Sequence, residues 1–123
     1  MPTRAIRGAT TATANTADAI LDASRELLRA ILTANALAPE MIISVLFTLT
    51  PDLDAVYPTR AARELGWAEI PLLDAQQPRV RGDLPRCLRV LIHCETERSA
   101  REIKHIYLRE AKCLRPDLSQ AGF

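Results

Sequence analysis

The hydrophobic residues of the chain recur with two different periods, which separate its helix from its strands. In one segment the apolar residues are three and four positions apart, and charged residues mostly occupy the opposite side: Ile20, Leu21, Leu27, Leu28, Ile31 and Leu32. This pattern predicts an amphipathic helix of about five turns. Asn15 or Thr16 can cap its start, and Asn35 is a plausible end. One side of such a helix needs a sheet to cover it.

Other segments have the composition and period of β-strands. Four strands are predicted, at Thr3–Thr11, Met41–Thr50, Ala68–Leu73 and Cys87–Thr96. The second is apolar almost throughout, which predicts a strand buried on both faces. The fourth alternates, so one set of side chains faces one way and a second set faces the other: Leu88, Val90, Ile92 and Cys94 against Arg89, Leu91 and His93.

The remaining segments give shorter or less certain elements. Pro58–Leu65 predicts a short helix that ends at Gly66. Asp74–Pro85 has the composition of an exposed loop, or of one that a ligand or partner chain orders. Ser99–Cys113 fits a helix and a strand equally well. The pattern as a whole predicts one mixed α/β domain over residues 1–118, followed by a tail at residues 119–123.

The charge of the chain excludes some partners and favours others. A net charge of +1 argues against a nucleic-acid or membrane-surface protein. Of the 16 basic residues, all but Lys104 and Lys112 are arginines, whose planar fork matches carboxylates. This excess suits an anionic ligand. The alternative is a GC-rich genome that favours arginine codons, and composition does not decide between them.

The cysteines and histidines predict no metal or disulfide chemistry. Cys87, Cys94 and Cys113 are odd in number and lack C-x-x-C spacing, and His93 and His105 add no ligand signature. Free buried thiols are the expectation. No apolar run reaches the roughly 18 residues of a membrane span, and the first 17 residues lack a hydrophobic signal core. We therefore expect a soluble cytoplasmic protein.

Three arginines stand in strand-like surroundings instead of on polar faces. Arg7 lies between Ala5 and Ala9 on its face, Arg89 shares a face with Leu91, and Arg115 precedes Pro116. A buried guanidinium without a counter-charge is costly. Each therefore needs an internal acid, a ligand anion or a path for its head to water.

Five sequence blocks resemble one enzyme family, the AroH class of monofunctional chorismate mutases. They occur in the family's order and extend from Arg4 to Leu118: RAIRGATT (4–11), TPDLDAVYP (50–58), AARELGW (61–67), RCLRV (86–90) and HIYLREAKCLRPDL (105–118). The resemblance implies a trimeric pseudo α/β-barrel whose subunits each carry a mixed sheet backed by the long helix. It also implies active sites at subunit interfaces, a strand through Tyr107, and the rearrangement of chorismate to prephenate without a cofactor.

The resemblance also assigns roles to particular residues. By position, Arg89 matches the cation that faces the ether oxygen of the substrate, and Arg7 and Tyr107 match groups that hold a carboxylate. The other matches are wall, lid and neighbouring-subunit positions: Tyr57, Arg60, Arg63, Leu72, Leu73 and Arg115. The family usually has Phe and Lys where this chain has Tyr57 and Arg60. For Arg60, Arg63 and Arg115, interface salt bridges are an equal alternative.

One departure from the family pattern concerns the carboxylate that the family has in its active site. The family has a glutamate where this chain has Gln77, and it commonly has a small uncharged residue where this chain has Asp74. We hypothesise that Asp74 supplies the missing carboxylate from the other side of the same turn. The alternative is that Asp74 is a solvated turn residue and that the site lacks its anion.

Two further functions stay open from the sequence. Asp74, Gln77 and Leu72-Leu73 are also compatible with a mutase for an amino- or iso-chorismate analogue. A catalytically weak trimer that binds a metabolite of the aromatic pathway is the third possibility. His93 and His105 are expected to be structural.

Overall fold

The computed structural model describes residues 1–119, which form a five-stranded sheet with one long helix. The strands are β1 (Thr3–Thr11), β2 (Ile42–Leu49), β3 (Leu72–Gln76), β4 (Cys87–Glu95) and β5 (Ile106–Tyr107). The helices are α1 (Ala17–Ala34), α2 (Thr59–Glu64) and α3 (Pro116–Ser119), and two 3-10 segments are Pro39–Met41 and Arg109–Leu114. Residues 120–123, most of the predicted tail, lie outside the described part.

The sheet is mixed, with the strand order β3-β2-β4-β1-β5. β4 pairs antiparallel with both β1 and β2, whereas β3 is parallel to β2 and β5 is parallel to β1. The β1–β4 ladder is the longest, with nine residue pairs from Thr3–Glu95 to Thr11–Cys87. A ladder of this length fixes which side chains of both strands share a face.

Helix α1 covers one face of this sheet and forms the core with it. Its buried residues are Ile20, Leu21, Ala23, Ser24, Leu27, Leu28 and Ile31. Thr16 caps the start, where its hydroxyl accepts a hydrogen bond from the Ala19 N–H at 3.1 Å. At the other end the Asn35 side chain bonds both the N–H and the C=O of Lys104. The helix is therefore held on the sheet by apolar packing, and the Asn35 side-chain amide bonds its end to the backbone just before β5.

Gly8 marks the closest approach of α1 to β1. A Cβ atom at this position would lie 2.8 Å from Ile31 Cδ1 and 3.2 Å from the Ile106 carbonyl oxygen. Both distances are shorter than ordinary van der Waals contact. Only glycine lets the helix and β5 pack this closely on β1.

The structure confirms several predicted elements. β1 covers the predicted residues, β4 differs from its prediction by one residue, and α1 ends at Asn35 as expected. β4 also has the predicted faces: the even-numbered residues are buried and the odd-numbered ones between them are half-exposed. β5 passes through Tyr107, as the family resemblance implied, and the helical signal that follows is a 3-10 segment.

Other predictions were wrong. The strand predicted at Ala68–Leu73 begins instead at Leu72, because the Ile70 N–H turns back to the Trp67 carbonyl and Pro71 has no N–H to donate. β2 is buried on one face within this chain, and on the other face Ile43 is exposed. Cys113 is exposed, so of the three free thiols two are buried.

Within residues 1–119, no helix is long and apolar enough to cross a membrane.

Candidate active site

The face of the sheet opposite α1 carries a cavity of about 570 Å³. Its position follows from the register: Arg7 lies opposite Leu91, and Ala9 and Thr48 both lie opposite Arg89, so their side chains share this face. Five predicted site residues line the cavity together, and we call them the cavity group: Arg7, Gln77, Arg89, Tyr107 and Arg115.

Arg89 is the third residue of β4 and lines the cavity. Its side chain is 41% exposed, and its Nη2 lies 3.7 Å from the Asp83 Oδ1. Its Nε is buried and has no hydrogen-bond partner among residues 1–119. On the same face of β4, burial raises the pKa of the Cys87 thiol, and the adjacent Arg89 guanidinium opposes this rise. Arg89 is therefore a half-exposed cation whose Nε donor is not used by any of residues 1–119.

Gln77 follows β3 directly and is only 9% exposed. Its backbone N–H continues the sheet ladder by donating to the Leu49 carbonyl at 2.7 Å. Its Nε2 donates to the Asp83 Oδ2 at 2.6 Å, and its Oε1 is buried without a partner among the described residues. The cavity thus also contains an unused acceptor.

Asp83 is a residue that the sequence reasoning missed. Gly82, at φ 79°, turns the loop back, and the Asp83 Oδ1 then accepts the Leu84 N–H at 2.9 Å. Within residues 1–119, its carboxylate contacts both Gln77 and Arg89. The available signal was modest: an acid after a glycine, six residues from Gln77.

Arg7, Tyr107 and Arg115 complete the cavity group. Tyr107 is buried, whereas Arg7 is exposed and its backbone N–H donates to His105 Nδ1 at 3.0 Å. Burial lowers the pKa of His105, as do the charges of Arg7 and Arg115. Arg115 Nη2 lies 3.0 Å from the Asp117 Oδ2. Its salt-bridge partner is thus in the same chain, whereas the alternative role was a salt bridge at a subunit interface. Within residues 1–119, no group of three or more His, Cys, Asp or Glu side chains could hold a metal.

The other predicted site residues lie elsewhere, along α2 and the β3 edge of the sheet. We call them the edge group: Tyr57, Arg60, Arg63, Leu72, Leu73 and Asp74. Tyr57 and Leu73 are 68% and 65% exposed, whereas Leu72 packs against the core on the opposite face from Leu73. Arg60 lies 3.5 Å from Glu64, and Arg63 donates to the Thr59 hydroxyl at 3.2 Å. Neither arginine reaches the cavity of its own chain.

Asp74 is not where the hypothesis placed it. It belongs to β3 and pairs with the buried Phe47, so its side chain faces the helix-covered side of the sheet, away from Arg89. Its two oxygens accept the Thr59 N–H at 3.1 Å and the Thr59 hydroxyl at 2.6 Å, which caps the start of α2. Asp74 and Gln77 therefore do not share one pocket in this chain. Asp74 lines a second cavity of about 510 Å³, together with Tyr57.

Comparisons with known proteins identify the family of the chain. A family model described as chorismate mutase type I matches residues 3–118. The chain is 45% identical to "Chorismate mutase AroH" of Thermus thermophilus, over 96% of this chain and 98% of that protein. It is 42% identical to the protein of the same name from Bacillus subtilis (strain 168), over 97% and 94%.

A solved structure extends the likeness from sequence to fold. The chain superposes on "Chorismate mutase from Clostridium thermocellum Cth-682" with a TM-score of 0.88 and 44% identity, covering 89% of this chain and 98% of that one. The match of the family model to nearly the whole chain, together with these relatives, shows that the chain belongs to the type I chorismate mutase family.

Proposed function

We propose that this protein is a chorismate mutase, which rearranges chorismate to prephenate in the synthesis of phenylalanine and tyrosine. The observation that carries the proposal is the shared cavity of Arg7 and Arg89, in which the Arg89 Nε is buried without a partner among residues 1–119. Chorismate carries two carboxylates, and two guanidinium groups on one rigid sheet suit a dianion. Family membership supports the same substrate.

The first contribution to catalysis is conformational. Chorismate reacts from a diaxial shape that is a minority conformer in water. Arg7 and Tyr107 are assigned to a substrate carboxylate, and the sheet holds these two in a fixed relation. Arg115 is assigned to the tail that closes over the pocket. Binding in the reactive shape removes entropy before the chemical step and so lowers the barrier.

The second contribution is electrostatic. As the ether C–O bond breaks, the oxygen gains negative charge and the ring gains partial positive charge. In the proposed mechanism the Arg89 guanidinium donates to that oxygen, so it stabilises the transition state more than the substrate and raises kcat. The rearrangement is pericyclic, and the electrons move within the substrate. The proposed mechanism uses no cofactor, metal or covalent intermediate.

The proposal includes a homotrimer with active sites between subunits, located in the cytoplasm. The uncovered sheet face and the exposed Tyr57 and Leu73 support an assembly, because apolar side chains in such positions are normally covered. In this arrangement the edge group of one copy meets the cavity group of the next. Any charge that Asp74 supplies then acts in a neighbouring copy's cavity and not in its own.

The activity is tested by incubating the purified protein with chorismate and following the loss of its enol-pyruvyl absorbance. We expect turnover that a transition-state analogue inhibits. Greater kcat/KM with an amino- or iso-chorismate analogue would replace chorismate as the substrate. Binding without turnover of any of the three would refute an enzyme and leave a metabolite-binding protein.

The shared site is tested by mixing two variants. Arg89→Ala removes a cavity-group residue and Arg63→Ala an edge-group residue, and each alone should be nearly inactive. Co-refolding them in equal amounts should restore about a quarter of the wild-type activity, since one site in four then takes both intact halves from different copies. A mixture no more active than its parents would place each site within one chain. Full activity of Arg63→Ala would remove that residue from the site.

A further inference from the structure

Three polar side chains on the cavity face are joined in a way that the assigned roles do not explain. Asp83 accepts from the Gln77 Nε2 at 2.6 Å and lies 3.7 Å from Arg89 Nη2. Its oxygens are divided between these neighbours: Oδ2 bonds Gln77, and Oδ1 bonds the Leu84 N–H and faces Arg89. One loop acid thus contacts both the residue at the family's glutamate position and the arginine assigned to the ether oxygen.

The first consequence concerns the orientation of the Gln77 amide. An ionised carboxylate only accepts hydrogen bonds, so the amide must turn its NH₂ group toward Asp83. Its oxygen is then directed away from Asp83, and this oxygen is the buried atom without a partner among residues 1–119. A buried acceptor without a donor is costly, and a bound hydroxyl would satisfy it.

The second consequence concerns Arg89. At 3.7 Å the Asp83 carboxylate attracts the guanidinium, but the separation is too long for a hydrogen bond. The arginine is therefore held by charge while its Nε keeps its proton for another acceptor. A direct, bidentate pair between the two side chains would have used the donors that a substrate needs.

The geometry points to Asp83 as a positioning residue of the active site, which fixes Gln77 as an acceptor for a substrate hydroxyl and Arg89 as a donor to a substrate anion. This inference rests on the proposed function for the identity of that substrate. Asp83 itself does not touch the substrate. It acts through the two side chains that do.

A specific incompatibility follows from the 2.6 Å contact. Glutamate at position 77 would bring two carboxylates to hydrogen-bond distance, where both cannot stay ionised without a large cost. Gln77 and Asp83 are therefore a matched pair. In this chain the glutamate of the family would be harmful while Asp83 is present and tolerated once it is removed.

The test is a double-mutant cycle of Gln77→Glu and Asp83→Asn in the full-length protein, with chorismate as the substrate. Gln77→Glu alone should lower kcat by on the order of a hundredfold, and Asp83→Asn alone by about tenfold, with KM changing less. The double variant should regain at least wild-type kcat, because the amide introduced at position 83 can donate to the new carboxylate. Asp18→Asn, exposed on α1, serves as the control variant.

A pH profile separates positioning from a merely structural role. In Gln77→Glu the two carboxylates share a proton, so kcat/KM should acquire an additional ionisation that the double variant lacks. If the two substitutions are additive in kcat and no ionisation appears, Asp83 has no positioning role and the inference is wrong.

The same cycle measured by denaturant unfolding keeps this inference distinct from the proposed function. If the wild-type protein does not turn over chorismate, the proposed function fails. The coupling between positions 77 and 83 in the free energy of unfolding then still reports whether the pair exists. A coupling of zero in unfolding, with an active wild type, would overturn the inference alone.

Discussion

The cavity group and the edge group differ in how the chain holds them. Arg7 and Arg89 stand on β1 and β4, two nine-residue strands in the middle of the sheet that pair over their full length. Tyr57, Leu73 and Asp74 stand on or beside β3 and α2, which are five and six residues long and lie at an edge. The first group lines one cavity on the central strands, whereas the second is spread over a short strand and a short helix, with Tyr57 and Leu73 largely exposed.

This contrast suits two different roles: a rigid group on the central strands, and a group that a second copy of the chain supplies in the proposed assembly. Electrostatic stabilisation of a transition state requires donors that do not move during the reaction, and a central ladder supplies them. Groups that only cover a substrate need not be held as rigidly, so a second copy of the chain can supply them. Substitutions at Arg89, Asp74 and His105 can show whether the two groups differ in this way.

The largest expected effect is that of Arg89→Lys. The ammonium is a point charge on a different stem and cannot reproduce the guanidinium's position, so kcat should fall by about two to three orders of magnitude. Steady-state kinetics measure this, with Arg29→Lys on the exposed side of α1 as the matched control. The circular dichroism spectrum and the midpoint of unfolding should stay unchanged. Near-native kcat in the Arg89 variant would contradict a rigid, specific cavity group.

An intermediate effect is expected from Asp74→Ala, and it concerns stability first. The variant loses both hydrogen bonds to Thr59 at the start of α2, which should lower the free energy of unfolding by about 1–2 kcal/mol. Asp74→Asn keeps one acceptor and should lose less. Urea unfolding of the three proteins measures both differences. Equal unfolding free energies would show that Asp74 does not hold the edge group in place.

The smallest effect concerns His105, whose Nδ1 accepts a hydrogen bond from the backbone N–H of Arg7. Its pKa in the folded protein lies below the ordinary value of 6.5, so the unfolded chain binds a proton first as the pH falls. Its contribution to stability is thus present above about pH 6.5 and is lost progressively at lower pH. His105→Gln keeps an acceptor for the Arg7 N–H but does not titrate.

Unfolding experiments between about pH 7 and pH 5 compare the two proteins. The decline in stability toward acid should be shallower in His105→Gln than in the wild type. Parallel curves would mean that protonation of His105 is not coupled to folding.

The sequence predicted the central part of the fold well because its pattern and its packing agree. α1 and β4 each bury one regular set of residues along most of their length, so the periods of 3.6 and two read directly as faces. Arg7 and Arg89 were found in this way. Their neighbours, Tyr107 and Gln77, were assigned by the family resemblance, because neither belongs to a long periodic run.

The edge of the sheet was predicted less well because long-range contacts decide its structure. Trp67 and Pro71 delay β3 by four residues, and Asp74 therefore enters the strand instead of the loop. As part of β3, Asp74 directs its carboxylate to the other face of the sheet from Gln77, so the two do not lie on one turn of this chain. A catalytic role of Asp74 stays a prediction. Asp83 has no periodic neighbours at all, and only the folded loop brings it to Gln77.

Gly8 connects the two sides of the sheet. The helix that rests against its missing side chain and the strand that carries Tyr107 both lie within 3.2 Å of where one methyl group would stand. Arg7 and Ala9, its immediate neighbours along β1, face the opposite way into the cavity. A side chain at position 8 would push α1 or β5 away from β1, and a shift of β5 would move Tyr107, which lines the cavity.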